Sequence, residues 1–446
     1  MCKDRKGGRE DMPESSGRIL VLGAYGFIGA EITHGLRASG FDVIAAGRNA
    51  RQAARVLPGV PFRHAEMLKL CQAQDWMDLI RDVDSVVNCA GQLQDRSPGD
   101  LEAVHHAALA ALAGACAEKG VGIVQISAAG AGPEASTEFM RSKGRGDAAL
   151  LASGAKAHVL RPGLVIAQGA YGGTRLLRML AAVPLVQPLA LADAEVQCTG
   201  MSDLVEAVRA ALCQRLPMGT YDLVEDRPHR LEEVLAQTRA WLGFSKAKRV
   251  VQLPGWMLAP VVFGADVLGR LGWRSPLRRT ALREIGNGVR GDPEPYRLAT
   301  GQGLMPLADV LKGYCAGREH RLDARMALLM PIAVAVLSLF WLASGLIGLW
   351  QLEAAAAVLV AQGWEAWLAK SSVVFWSLTD VALGGAVLWR PWATKACLGM
   401  VAVSLFYLAA ASLATPAMWS DPLGPLVKIF PGILLAVITR QLLEER

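Results

Sequence analysis

Charge is what this sequence has least of. Only 19% of its 446 residues are Asp, Glu, Lys or Arg and 52% are hydrophobic, where an ordinary soluble chain carries about 25% charged residues. That shortage excludes a disordered polypeptide, which needs high net charge and few apolar residues. Basic blocks are also absent. The formal net charge of +6 comes from scattered Lys and Arg, so nucleic acid is not an expected partner. The eight cysteines (Cys2, Cys71, Cys89, Cys116, Cys198, Cys213, Cys315, Cys397) contain no CxxC pair and no regular spacing, which excludes a disulfide framework and a zinc site, and no metal is expected. No histidine follows His320, so haem or di-metal ligation in the last part of the chain is excluded. The opening MCKDRKGGREDMPESSG lacks an apolar h-region; a signal peptide is not expected, and residues 1–16 read as a disordered tail.

The shortage of charge is uneven. Residues 1–325 carry charges at ordinary spacing, whereas residues 326–446 contain long uncharged runs. Two halves in two solvents follow. Of the domains that length alone allows, about three at ~150 residues each, two are clear: a polar half at 17–325 and an apolar half at 326–446.

In the polar half, Arg18 to Leu22 is a short Leu-rich and β-branched run that ends in Gly23, Gly26 and Gly29 before the helical pattern of Ala30 to Ala38. Strand, glycine turn and helix in that order suit a dinucleotide. Side chains would keep its pyrophosphate from the backbone N–H groups at the positive end of the helix. Phe41 to Ala46 supplies the second strand of a βαβ unit. The end of that strand usually selects the cofactor, and an acidic residue there would hold the ribose hydroxyls of NAD. This chain has Gly47-Arg48-Asn49 instead. The Arg48 guanidinium suits a 2′-phosphate, so NADP is the expected cofactor, with NAD the alternative. Ser85 to Gly91 and Val121 to Ser127 read as two further buried strands separated by an Ala-rich helix at 102–119. The alternation predicts a Rossmann-like, doubly wound parallel α/β sheet.

These motifs resemble the extended and atypical branches of the short-chain dehydrogenase/reductase superfamily, over about residues 18–320. The resemblance rests on Gly23-Ala24-Tyr25-Gly26-Phe27-Ile28-Gly29, Asn88-Cys89-Ala90-Gly91, Gln125-Ile126-Ser127-Ala128, Arg141-Ser142-Lys143 and Leu160-Arg161-Pro162-Gly163. It implies that Gly23, Tyr25, Gly26, Phe27, Ile28, Gly29, Arg48, Ala90 and Gly91 bind the cofactor. It further implies that Ser127 hydrogen-bonds a substrate oxygen and that Lys143 holds the nicotinamide ribose. In that superfamily a tyrosine four residues before the lysine donates the proton. Here the position is Phe139, which has no hydroxyl and cannot be a general acid. The departure resembles the accessory nucleotide-binding subunit of respiratory complex I and its bacterial relatives, whose bound NADPH is associated with structural or quinone-related roles. His105, His106 and Tyr171 are the other candidates for a proton donor, each more often structural than catalytic.

Residues 164–325 read as a substrate-side lobe of the same domain, and the run from Val196 to Leu204 resembles the superfamily's segment in which an Asp caps a helix. The apolar stretch at 250–273 is broken by Pro254, Pro260, Asp266 and Arg270, which argues against a membrane span. It reads as an amphipathic segment on a membrane or as the wall of an apolar cleft.

In the apolar half, Met326 to Trp350 is twenty-five residues without a charge, long enough at ~1.5 Å per residue to cross a hydrocarbon core of ~30 Å. Residues 371–389, 396–414 and 425–443 are three further expected spans, making an all-α transmembrane bundle of four helices. Arg318, Arg321 and Arg325, then Arg390 and Lys395, then Arg440 and Arg446 fall on alternate loops, which places both termini in the cytoplasm. This half resembles the DoxX-like membrane family, on Phe340-Trp341-Leu342-Ala343-Ser344-Gly345, on Asp380 with Gly384, and on the run from Trp419 to Lys428 followed by Phe430-Pro431. The resemblance implies an integral protein of a bacterial inner membrane, with links to quinones and redox metabolism. Asp380, a carboxylate inside an expected span, suits either a quinone head group or a packing bond to Thr379 or Tyr407.

Together these readings predict a membrane-anchored, NADP(H)-binding oxidoreductase acting on an apolar substrate such as a quinone or a lipid, with the bilayer as its other partner. The alternative is a catalytically idle nucleotide-binding scaffold or redox sensor. Nothing in the residues fixes an oligomeric state.

Overall fold

The strand Arg18–Leu22 (β1) organises the polar half because its side chains are apolar on both faces: Ile19 and Val21 enter one core, Leu20 and Leu22 the other. A strand buried on both sides must be covered by helices on both sides, which is the condition for a parallel sheet. The computed structural model of the chain describes residues 17–92, 99–273, 285–422 and 424–444. The tail read at 1–16 lies outside them, as does Leu423 of the DoxX-like run.

Around β1 stand Asp42–Gly47 (β2), Phe62–His64 (β3), Ser85–Asn88 (β4), Gly122–Ile126 (β5) and Ala157–Pro162 (β6). Of two later strands, Val186–Leu189 (β7) and Gly219–Leu223 (β8), only β8 joins them. The seven strands lie in the order β8-β6-β5-β4-β1-β2-β3, every pair parallel. The order reverses at β1, so the crevice for a ligand opens at the carboxyl ends of β1 and β4. The covering helices are Phe27–Ala38 (α1), Ala50–Val56 (α2), Ala108–Lys119 (α3) and Glu138–Ala152 (α4). The helix expected at 102–119 is therefore not uniform. Its first part holds a π-helical turn, Ala103–Ala107, which carries both His105 and His106. Further helices are Gly173–Ala181 (α5), Met201–Leu212 (α6), Leu231–Trp241 (α7) and Gly255–Arg270 (α8).

The described residues fall into two units. The first lies within Met1–Leu177, Leu191–Trp241 and Thr280–Cys315, the second within Arg178–Ala190, Leu242–Arg279 and Ala316–Arg446. Two segments of the lobe read at 164–325 are thus grouped with the helical half. One contains β7, and the other contains α8 and a strand, Arg249–Gln252 (β9), that pairs with β7 in parallel.

The helical half comprises Arg318–Trp350 (α9), the short Leu352–Val360 (α10), Ala366–Ala386 (α11), Arg390–Ala414 (α12) and Ile429–Glu444 (α13). Two of these, α9 and α12, are long and apolar enough to cross a membrane. The other two expected spans fall on helices that are more polar or shorter than these. Helix α11 has 21 residues but includes Lys370, Ser371, Ser372, Ser377 and Asp380. Helix α13 has only 16 residues, ~24 Å at ~1.5 Å each, and Arg440 and Glu444 lie within it. Asp380 is buried and ties three helices: Ser344 Oγ on α9 donates to its Oδ2 and Tyr407 Oη on α12 to its Oδ1, both at 2.9 Å. Thr379 instead donates within its own helix, to Phe375 O. This is the packing arrangement, with both carboxylate oxygens engaged.

Candidate functional site

The glycine turn is built for close approach. Gly23 has a φ of +69°, and a Cβ added to it would lie 3.0 Å from the backbone of Ala90, so the ends of β1 and β4 meet with no room for a side chain. At Gly29 a Cβ would come within 2.3 Å of Gly23 O, which holds the first turn of α1 against the loop. Gly26 is the N-cap of α1 with no side-chain cap, and the first turn carries no acidic residue. The amides of Phe27, Ile28 and Gly29 are therefore the open N–H groups of a 12-residue helix, a positive end that suits an anion.

Tyr25 reaches from this turn to the end of β2. Its hydroxyl accepts from the N–H groups of Arg48 (3.1 Å) and Asn49 (3.0 Å). The ring lies so close to Gly47 that a Cβ there would be 2.5 Å from Tyr25 Cε1. The Arg48 side chain is exposed. On β4, Asn88 donates to Gln125 Oε1 at 2.7 Å and accepts from Ala90 N–H at 3.1 Å, which shapes the Ala90-Gly91 turn.

Ser127 and Lys143 come together at the end of β5. Lys143 Nζ is buried and donates to Ile126 O at 3.1 Å. Ser127 Oγ donates to Asp147 Oδ2 at 2.7 Å, and Arg161 donates to the same oxygen from Nε and Nη2, each at 2.9 Å. Asp147 is 1% exposed and its Oδ1 has no hydrogen-bond partner. Burial raises the Asp147 pKa above the ordinary carboxylate value, against the pull of Arg161, Ser127 and Lys143. Burial likewise lowers Lys143, opposed by Asp147 and Cys89. Asp147 was not singled out from sequence, yet a signal was present: it follows Lys143 by four residues, one turn along the same helix.

Phe139 packs beside His105 and Lys143. Its ring meets the His105 ring edge-on at 5.5 Å, and Lys143 Nζ stands 5.7 Å from its centre. His105 is the nearest titratable neighbour and is fully engaged. Ser142 Oγ donates to Phe139 O at 3.0 Å and so receives the His105 Nδ1 proton at 2.9 Å, while Nε2 accepts from Gln92 N–H at 3.2 Å. The hydrogen-bond network thus assigns one neutral tautomer with both nitrogens occupied. His106 turns the other way and bonds Glu102 Oε1 at 2.5 Å. Tyr171 is exposed and stacks on Phe27, 6.1 Å away. Among the described residues no group of His, Cys, Asp and Glu is placed to hold a metal ion.

The state of His105 has a measurable consequence. Burial, with Lys143 adding to it, pushes its pKa down to about 3 from 6.5. Protonation therefore favours the unfolded chain. The stability tied to neutral His105 is complete above about pH 6.5 and is lost as the pH falls toward 3. His105→Gln removes the titrating ring, so its melting temperature is expected to fall less than the wild type's across that window. Parallel acid sensitivity in the two proteins would contradict this.

Comparison with known proteins gives two family matches: residues 19–183 match the NAD dependent epimerase/dehydratase family, and residues 338–437 match the DoxX-like family. No curated protein matches the chain. Among solved structures, a putative epimerase from Burkholderia cenocepacia superposes with a TM-score of 0.52 at 20% identity, covering 70% of this chain and 99% of that one. The Bordetella bronchiseptica enzyme WbmG, in complex with NAD and UDP, gives 0.51 at 19% identity, covering 67% and 94%. UDP-N-acetylglucosamine 4-epimerase from Bacillus cereus gives 0.50 at 17%, covering 70% and 100%. These likenesses establish the fold of the nucleotide half, and both resemblances read from the motifs hold at the level of the family.

Proposed function

We propose that this chain, an epimerase/dehydratase-type nucleotide domain joined to a DoxX-like helical domain, is a membrane-anchored NADP(H)-dependent oxidoreductase whose acceptor is a quinone dissolved in the bilayer. The observation that carries the reading is Phe139 at the position of the proton donor, next to a His105 that is neutral and fully engaged. Reduction of an aldehyde or ketone by hydride generates an alkoxide, whose basicity compares with that of hydroxide (water, pKa ~15.7) and which needs a proton during the step. Reduction of a quinone generates a phenolate, whose conjugate acid has a pKa near ~10, as tyrosine's does, and which can wait for a solvent proton. A site without the tyrosine acid suits the second reaction.

The remaining residues fit this division. The Ser127 proton is committed to Asp147, so Ser127 offers lone pairs and does not polarise a carbonyl. The epimerase chemistry named for a solved neighbour requires a base for a sugar hydroxyl, and Phe139 is not one. The cradle of Gly23, Gly26 and Gly29 with the amides of Phe27 and Ile28 fits a pyrophosphate. Ala90 and Gly91 leave room for the ligand beside it, and Lys143 is buried near the Gly91 turn, where a nicotinamide ribose would be held. The bound dinucleotide supplies the hydride. Arg48 and Tyr25 stand at the end of β2, where the adenosine ribose belongs. Arg48→Asp is expected to weaken NADPH binding on the order of ten-fold, equivalent to about 1.4 kcal/mol, and to spare NADH. Equal wild-type affinity for both would remove Arg48 from the account.

The positive residues flanking α9, α11 and α12 support a cytoplasmic nucleotide domain. The test is NADPH oxidation by the full chain in lipid nanodiscs, with a quinone analogue and with a long-chain aldehyde. Oxidation by the quinone alone supports the proposal. Tight NADPH binding without turnover on either acceptor overturns it in favour of a nucleotide-binding scaffold.

A further inference from the structure

Outside the long helices, the second unit exposes an unusual amount of apolar surface. On α8, Trp256 (75% exposed), Met257, Phe263 (67% exposed) and Val267 face outward, while Val262 and Ala265 are buried. Trp256, Phe263 and Val267 are spaced i, i+7 and i+11, so they line one stripe. A helix on the surface of a soluble domain turns its polar residues outward, and this one does the reverse. The paired strands β7 and β9 add Leu185, Val186, Val250 and Val251, all exposed. Beside them stand three exposed cations, Lys246, Lys248 and Arg249, and Arg270 is exposed at the far end of α8.

The level of this surface is set by its anchor. The segment after α8 is tied to the turn between α11 and α12: Arg390 N–H donates to Leu271 O at 2.9 Å, and Trp273 Nε1 donates to Leu388 O at 2.6 Å. The Arg390 guanidinium stands 5.7 Å over the Trp273 ring. Leu268, Leu271 and Trp273 join one apolar cluster with Met330 and Val334 of α9, Ala396 and Met400 of α12, and Val387 just after α11. The same turn carries Trp389 and Trp392, stacked at 6.0 Å and half exposed, with Lys395 5.4 Å over Trp392. Indoles interleaved with Arg and Lys at helix ends mark the membrane–water boundary.

We propose that α8 with the β7–β9 pair is a docking surface for an anionic lipid leaflet: its apolar stripe lies among the acyl-chain ends at headgroup depth, and Lys246, Lys248 and Arg249 meet the lipid phosphates. It rests on the reading of the helical half as membrane-embedded. Apolar burial and basic attraction act together in such interfacial helices. Asp266, in the same helix, is only partly exposed and does not lie on the stripe.

The experiment uses the full chain in nanodiscs containing a photoactivatable phospholipid, with anionic or purely zwitterionic carrier lipid, and maps lipid adducts by mass spectrometry. Adducts are expected at 256–267 as well as on α9 and α12, and several-fold more of those at 256–267 in anionic discs. Charge reversal at Lys246→Glu, Lys248→Glu and Arg249→Glu is expected to abolish that dependence while leaving α12 labelled as before. Adducts on α9 and α12 with none at 256–267 overturn the proposal and leave the membrane reading intact. Adducts nowhere overturn both. Yields at 256–267 that ignore lipid charge in the wild type overturn the assignment to an anionic leaflet.

Discussion

Phe139→Tyr is expected to raise aldehyde reduction by about 10²-fold or more, the usual contribution of a positioned general acid, while quinone reduction changes little. The new hydroxyl would extend from a ring already set between His105 and Lys143, its centre 5.7 Å from the Lys143 ammonium. A positive charge at that distance favours the phenolate and so eases proton release. Both nitrogens of His105 are already engaged, so its ring does not compete as the acid. The measurement is kcat/KM for both acceptors in wild type and variant. A variant that gains nothing on aldehydes would mean that the substrate pocket does not meet the Phe139 face. One that loses quinone activity as well would mean that the phenyl ring itself holds the acceptor.

The second large effect is on stability. Asp147→Ala is expected to cost about 3–5 kcal/mol, the loss seen when one member of a buried ion pair is removed. Its carboxylate receives Ser127 and both contacts of Arg161, whose side chain is itself mostly covered. At 2–4 °C per kcal/mol for a domain of this size, the melting temperature should fall by roughly 10 °C. The pair Asp147→Leu with Arg161→Met, which removes both charges and fills the space, should recover most of the loss. Equal destabilisation of the single and double variants would contradict an electrostatic role for Asp147. Comparing NADPH affinity in the two separates a loss of folding from a loss of the site.

Much of the nucleotide half was legible because its signals are local. The run from Arg18 to Gly29 contains strand, turn and helix start in succession, and Gly23 and Gly29 are required by clashes with neighbours a few residues away or at the next strand. The network around Asp147 was not legible. It joins β5, α4 and β6 through Ser127, Asp147 and Arg161, and no spacing within one element shows that three elements converge. Nor did the residues of the π-helical turn announce it. That turn aims His105 inward and His106 at Glu102, two neighbours facing opposite ways. In the helical half, uncharged length identified α9 and α12, whereas the polar residues of α11 read as an ordinary span because Ser and Thr interrupt a run less visibly than charge does. Residues 250–273 showed their apolar character but not their partner. An apolar face packs equally well on a sheet or on a bundle, and only the anchor at Leu388 and Arg390 decides.

Hydride transfer to a bilayer acceptor, on the reading proposed above, proceeds with Phe139 in place of the tyrosine acid. Its most direct test is the isotope dependence of a single turnover of the full chain in nanodiscs, with NADPH deuterated at the transferred position and a quinone acceptor, in light and heavy water. A clear primary effect from the labelled cofactor is expected, together with a solvent effect near unity and a rate that does not follow pH between about 5 and 8, because with Phe139 in the donor's position no proton is transferred in the hydride step. A large solvent effect, or a rate that titrates in that range, would mean that a proton moves in the same step and would contradict it.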